Sequence, residues 1–265
     1  MSDQQSSRSE SMRKGIYILP NLFTTGSLFA GFYGMIAGIN GDYKTAAICI
    51  LVSAVFDGLD GKVARATGTT SKFGVEYDSL ADLVAFGVAP GLIMYFWALK
   101  PFGRLGWLAA FLFVVCGALR LARFNVQVET VESKRFVGLP IPAAASMVSA
   151  TILFFHHMGW PSSFKKLAII VMIYLLAFLM VSNVKYYSFK DPEVIKKQPF
   201  GFLVLAVLLL IIIAAEPAIM IFALLCCYIL SGPVGFIVTW PRRRRLEKAF
   251  HKGHENHADS VKRGE

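Results

Sequence analysis

Charged side chains are scarce in this sequence. Only 17% of its 265 residues are Asp, Glu, Lys or Arg, 55% are hydrophobic, and the mean hydropathy is +0.57. That balance excludes an ordinary soluble globular domain. Cysteine is nearly as scarce. The four present, Cys49, Cys116, Cys226 and Cys227, all fall inside apolar runs, so they read as small buried hydrophobes and not as a disulfide framework or a thiolate metal centre. There is no Asn-x-Ser/Thr sequon and no internal repeat. The opening residues are polar and the first apolar run is long enough to span a bilayer, so no cleavable signal peptide is expected.

What the chain has in quantity is long apolar runs. At about 20 residues per crossing, eight candidate spans emerge: 16–40, 44–60, 78–99, 104–122, 137–158, 167–187, 199–214 and 217–239. The last two are separated only by Glu216-Pro217. The expected fold is an all-α polytopic bundle of about eight transmembrane helices. A short tail (1–15) precedes one membrane domain (16–240), and a basic tail (241–265) follows it. Of the 27 Lys and Arg, only Lys44, Lys100, Arg104, Lys165 and Lys166 fall on one side of such a bundle. The rest gather on the other, which the positive-inside rule makes cytoplasmic, with both termini.

The net charge of +10 lies mostly at span ends, where it serves anionic headgroups, so no nucleic-acid partner is expected. The run PRRRRLEKAF after Trp240 reads as an interfacial anchor. His251, His254 and His257 beyond it read as a solvated tail and not as a metal site.

Against this background the stretch from Asp57 to Asp82, DGLDGKVARATGTTSKFGVEYDSLAD, stands out for its four aspartates. A carboxylate at the centre of a membrane helix costs about 2.5–3.5 kcal/mol on insertion scales, so four require relief by cations, paired bases or water. Asp57 and Asp60 are spaced i, i+3, and Asp78 and Asp82 i, i+4, so each pair projects from one helix face. Two such faces opposed converge four carboxylates. With no His or Cys nearby, an all-oxygen set suits hard divalent ions, and four carboxylates can bridge two of them, an arrangement that serves phosphoryl transfer. Gly58, Gly61, Ala64 and Gly74 keep bulk away from the acids. Arg65 supplies a guanidinium fork suited to a diphosphate, and ATGTTSK supplies hydroxyls including Ser71. Taken singly, each of these residues fits ordinary helix packing equally well, as Gly34 and Gly38 do at GxxxG spacing.

The pattern D57-x2-D60-G61-x2-A64-R65-x8-G74-x3-D78-x3-D82 resembles the complete signature of the CDP-alcohol phosphotransferase family. The resemblance implies displacement of CMP from a CDP-linked alcohol by an incoming hydroxyl, with two divalent cations, Mg²⁺ or Mn²⁺, as cofactors. It implies Asp57, Asp60, Asp78 and Asp82 as metal ligands, and Asp82 also as the general base. It further implies that Asn21 and Thr24 of the PNLFT segment, with Gly61, Ala64, Arg65, Ser71 and Gly74, contact the CDP-lipid. A homodimer in the cell membrane, with its site facing the cytoplasm, is expected on the same ground.

For the acceptor, the fourth span ends in LRLARFNVQ, which places Arg120 and Arg123 at i, i+3 with Asn125 close by. Two arginines there can hold a carboxylate bidentately or serve as positive-inside anchors. RLARFN, Phe136–Pro142 and Val181–Tyr187 each resemble the membrane-embedded phosphatidylserine synthases of that family, which implies L-serine as acceptor and CDP-diacylglycerol as donor. Glycerol 3-phosphate or an inositol phosphate is the competing acceptor. A divalent-cation transporter is the competing class, although a fixed Arg65 would repel its cargo. Pro140 and Pro142 either open the fifth span or start its helix. Asn183, Lys185 and Tyr186 are weaker candidates for the acceptor pocket, with interfacial anchoring as the plain alternative for the last two.

Overall fold

The computed structural model describes the backbone of residues 2–68, 71–130, 136–159, 162–186, 208 and 215–236. Side chains are described for 19–68, 71–126, 138–159, 167–184, 186, 208 and 215–236. The expected seventh span, 199–214, lies outside these residues except for Leu208, as do the basic tail and its histidines.

The molecule is an all-α polytopic membrane protein. Its helices are α1 (Ser2–Ile39), α2 (Tyr43–Thr67), α3 (Lys72–Asp82), α4 (Ala89–Met94), α5 (Arg104–Thr130), α6 (Ile141–Met158), α7 (Ser162–Val181) and α8 (Pro217–Phe236). Among the described residues five helical stretches are long and apolar enough to cross a membrane: Leu19–Ile39, Lys72–Phe102, Arg104–Val126, Ile141–Met158 and Pro217–Phe236. Leu167–Val181 is a shorter apolar helix. α2 spans 25 residues, but its second half carries Asp57, Asp60, Lys62 and Arg65.

α1 and α2 form an antiparallel pair closed by a tight turn, with Gly41 at φ +83° and the Asp42 carboxylate accepting from the Thr45 N–H at 3.0 Å. Small residues let the two backbones approach. The Ser27 and Ser53 hydroxyls meet at 2.7 Å, and a Cβ on Gly34 would lie 3.2 Å from the Ala46 carbonyl oxygen.

After α2, Gly68 in the left-handed conformation (φ +62°) ends the helix and Ser71 starts the next by accepting from the Gly74 N–H at 3.0 Å. α3 and α4 are parts of one continuous 31-residue helix, Lys72–Phe102. It widens into a π-helical turn at Leu83–Val88, directly after Asp82. Pro90 in the first turn of α4 has no N–H to give the ladder, and the wide turn before it absorbs that loss.

Pro140 and Pro142 sit at the cap and first turn of α6, so they start that helix and do not kink it. The span therefore begins at Ile141, not at 137. The sixth span likewise ends at Val181. The chain then turns into a two-residue strand, β2 (Lys185–Tyr186), paired antiparallel with β1 (Phe136–Val137). The Gly138 N–H donates to Val184 O at 2.8 Å and the Leu139 N–H to Leu179 O at 3.0 Å. Gly138 has φ +84°, and a Cβ there would collide with the Met180 carbonyl. Tyr186, expected either at the acceptor pocket or as an interfacial anchor, is fully buried and donates to Ile229 O at 3.1 Å. Gly232 opposite it leaves the room that its ring fills. All four cysteines are free.

Candidate active site

The second half of α2 and the aspartate face of α3 both pack against α1 and open on one shared space. This arrangement brings the two aspartate pairs together. One carboxylate oxygen from each of Asp57, Asp60 and Asp78 lies within 4.8 Å of the others. Asp82, one turn beyond Asp78, comes within hydrogen-bonding reach of the Asp57 carboxyl. Asp60 is buried, and Asp57, Asp78 and Asp82 are half-buried. Among the described residues no Lys or Arg forms an ion pair with any of the four. Carboxylates gathered at this spacing with no direct ion pair have the donor set of a hard divalent ion, so the residues fit the metal that the sequence implies.

Asp60 is held by its neighbour on α1, where the Thr24 hydroxyl donates to Asp60 Oδ2 at 2.8 Å. Beside it opens a cavity of ≈ 560 Å³, mouth included. α1 contributes Asn21 and Thr24, α2 contributes Gly61, Ala64 and Arg65, and the start of α3 contributes Ser71 and Gly74, with Asp60 and Asp78 at the edge. All seven residues expected to touch the CDP-lipid thus line one space. Gly74 is needed there by contact: a Cβ would lie 3.1 Å from Ser71 Oγ and 3.4 Å from Asn21 Oδ1. Gly61 lies under the Arg65 guanidinium, with 3.7 Å between a built Cβ and Nη1. Gly58 faces open space.

The three residues proposed for the acceptor part company. Arg120 is 9% exposed and stacks 5.7 Å over the Phe124 ring, and Asp82, Asp57 and Tyr228 of α8 are near enough to act on its charge. Arg123 instead donates to Val181 O at 3.1 Å and to Asn183 Oδ1 at 3.4 Å. Asn125 donates to Ser79 Oγ at 3.0 Å, tying α5 to the aspartate helix. The described parts of these segments, RLARFN, Phe136–Pro142 and Val181–Tyr186, therefore form one knot at the end of α5, held by Arg123 and the strand pair. Sequence reasoning missed Ser79 and Tyr228. Ser79 follows Asp78 directly, a position that could have signalled it. Tyr228 lies in an apolar run with no signal at all.

The sequence profile of the CDP-alcohol phosphatidyltransferase family matches residues 17–181, so the chain belongs to that family. It is a membrane-embedded transferase of phospholipid biosynthesis, a family that depends on divalent cations. Among similar proteins is the CDP-diacylglycerol–serine O-phosphatidyltransferase of Helicobacter pylori, 45% identical over 175 residues, which cover 66% of this chain and 74% of the relative. The archaetidylserine synthase of Methanothermobacter thermautotrophicus is 38% identical over 170 residues, 63% of this chain and 69% of the relative. A CDP-diacylglycerol–serine O-phosphatidyltransferase of Methanocaldococcus jannaschii is 41% identical over 138 residues, 52% and 61% of the two chains.

Proposed function

We propose that the protein transfers the phosphatidyl group of CDP-diacylglycerol to the hydroxyl of L-serine, giving phosphatidylserine and CMP. The observation that carries this reading is the shared space in which Asn21, Thr24, Gly61, Ala64, Arg65, Ser71 and Gly74 adjoin the aspartate cluster. A nucleotide diphosphate requires a cation fork, small residues and hydroxyls beside hard-metal ligands, and this cavity holds all of them.

Asp57, Asp60, Asp78 and Asp82 would hold two divalent ions, Mg²⁺ or Mn²⁺, which when bound supply Lewis-acid neutralisation of the diphosphate charge. Thr24 keeps Asp60 in a fixed rotamer. Arg65 offers its fork to the diphosphate, and Asn21 and Ser71 offer polar contacts to the nucleotide side. The serine hydroxyl oxygen attacks the phosphorus that bears diacylglycerol, and the bond from that phosphorus to the CMP oxygen breaks. The electron pair leaves with CMP. The hydroxyl proton passes to a carboxylate oxygen of Asp82, which acts as general base. Catalysis here is positioning plus charge stabilisation, with no covalent enzyme intermediate.

Serine is favoured over glycerol 3-phosphate by charge. Of the two arginines at the end of α5, Arg123 is engaged by a backbone carbonyl and Asn183, which leaves Arg120 as the buried guanidinium beside the carboxylates. One guanidinium matches a singly charged carboxylate, whereas a phosphate dianion beside these aspartates needs more positive charge. The distribution of Lys and Arg supports a cell-membrane location with both termini and the site facing the cytoplasm, and we take the working unit to be a homodimer.

The test is a panel of acceptors given to the purified protein with labelled CDP-diacylglycerol and Mn²⁺. CMP release should follow L-serine. Faster release with glycerol 3-phosphate would overturn the choice of acceptor, and ion flux without CMP release would overturn the enzyme.

A further inference from the structure

A second cavity lies at the far end of the bundle from the aspartates. Along α2, Tyr43 and Asp60 are about 25 Å apart at 1.5 Å per residue, close to the thickness of a hydrocarbon core. The cavity holds ≈ 460 Å³ of empty space, mouth included. Its walls come from three elements that are distant in sequence: Asp42, Tyr43 and Lys44 at the start of α2, Trp97 near the end of the Lys72–Phe102 helix, and Ile152 and His156 near the end of α6.

We propose that this cavity binds the headgroup of a zwitterionic phospholipid from the leaflet opposite the aspartates. Its lining carries both signs of charge at headgroup depth. Asp42 is ionised at neutral pH, because hydrogen bonds from Thr45, and then the nearby Lys44 and His156, hold its carboxyl below the usual carboxylate range. Lys44 and His156 are exposed donors on the cavity rim. A lipid phosphate matches Lys44 and His156, and a lipid ammonium matches Asp42 and the face of Trp97.

Single-charge ligands are served less well. A bare anion meets Asp42 and a metal ion meets Lys44, each a like-charge contact. Trp97, half-buried and set 6.0 Å from the Phe155 ring, is an amphipathic side chain at the depth where such rings sit in membranes. Ile39 and Ile48, exposed on either side of the turn, offer apolar surface to acyl chains. His157 takes no part, since its Nε2 pairs with Glu216 at 3.3 Å. The site is independent of which acceptor the catalytic cavity uses.

The experiment places the full-length protein in phosphatidylglycerol vesicles doped with a photoactivatable phosphatidylethanolamine and maps the crosslinks by peptide mass spectrometry. Labelling is expected at 41–44, at Trp97 or at 152–156. The D42N/K44Q double variant, in which asparagine preserves the helix cap, should lose labelling there about tenfold, the scale of one lost charge-assisted contact. Its CMP release should be unchanged. Undiminished labelling in that variant, or equal labelling of the cavity by a photoactivatable phosphatidylglycerol with the same chains, would overturn the proposal. Should the double variant fail to fold, His156→Gln, on an exposed side chain, carries the same test with the same two outcomes.

Discussion

Thr24 and Asp60, 36 residues apart, meet out of solvent where α1 crosses α2, with the Thr24 hydroxyl donating to Asp60 Oδ2 at 2.8 Å. The same hydroxyl lies 3.2 Å from Pro20 O, so two acceptors compete for its one proton, and the shorter contact is the one to the carboxylate. In metal sites such supporting partners govern ligand orientation and affinity.

Thr24→Val keeps the shape and removes the hydroxyl. The Mn²⁺ concentration for half-maximal CMP release should rise about 10- to 100-fold, turnover should return at saturating Mn²⁺, and Thr24→Ser should behave like the parent. A metal titration checks this, and an unchanged midpoint in the valine variant would remove Thr24 from the support of Asp60. Chelation should abolish activity in all three.

Asp82→Asn should reduce turnover by at least about a hundredfold, the lower range for a positioned base. Binding of CDP-diacylglycerol should remain, measured by equilibrium binding of labelled donor. A variant with parental turnover would take Asp82 out of proton transfer.

The two arginines of α5 should separate by assay. Arg120→Ala should raise the serine KM at least about tenfold, as expected for a charge-assisted contact, with little change for the donor. Arg123→Ala should act on stability, lowering Tm, because it frees Val181 O and Asn183 at the knot between α5 and α7. If Arg123→Ala shifts the serine KM as strongly as Arg120→Ala with Tm intact, the two residues share the acceptor.

Gly31→Ala should destabilise by about 1–3 kcal/mol through overpacking. A Cβ there would lie 2.7 Å from the Ala85 Cα, and backbone cannot move aside as a side chain can. Gly58→Ala meets nothing within 4 Å and should leave Tm unchanged. Thermal unfolding in detergent compares the two.

Much of the site was legible in the chain because its logic is local. Asp57 and Asp60 at i, i+3 and Asp78 and Asp82 at i, i+4 must share a face on any helix, and the cost of burying them demands a partner. Asn21 and Thr24 could be placed only by resemblance. Nothing in their own segment says that α1 lies across α2 so that Thr24 reaches Asp60. Boundaries were less legible. Hydropathy extends the fifth span back to 137 and the sixth on to 187, whereas Pro140 starts α6 later and α7 ends at Val181, which leaves the flanking residues to a strand pair.

The sequence by itself determined a polytopic helical membrane protein and a four-carboxylate site, because apolar run length and the 3.6-residue period are properties of the chain alone. Which of two neighbouring arginines is engaged by a backbone carbonyl, and that Tyr186 belongs to the core, only the tertiary structure decided. Those outcomes depend on what the end of α7 brings against Arg123 from 58 residues away and what α8 brings against Tyr186 from 43 residues away. No local pattern encodes the capture of a guanidinium by a carbonyl so distant in sequence.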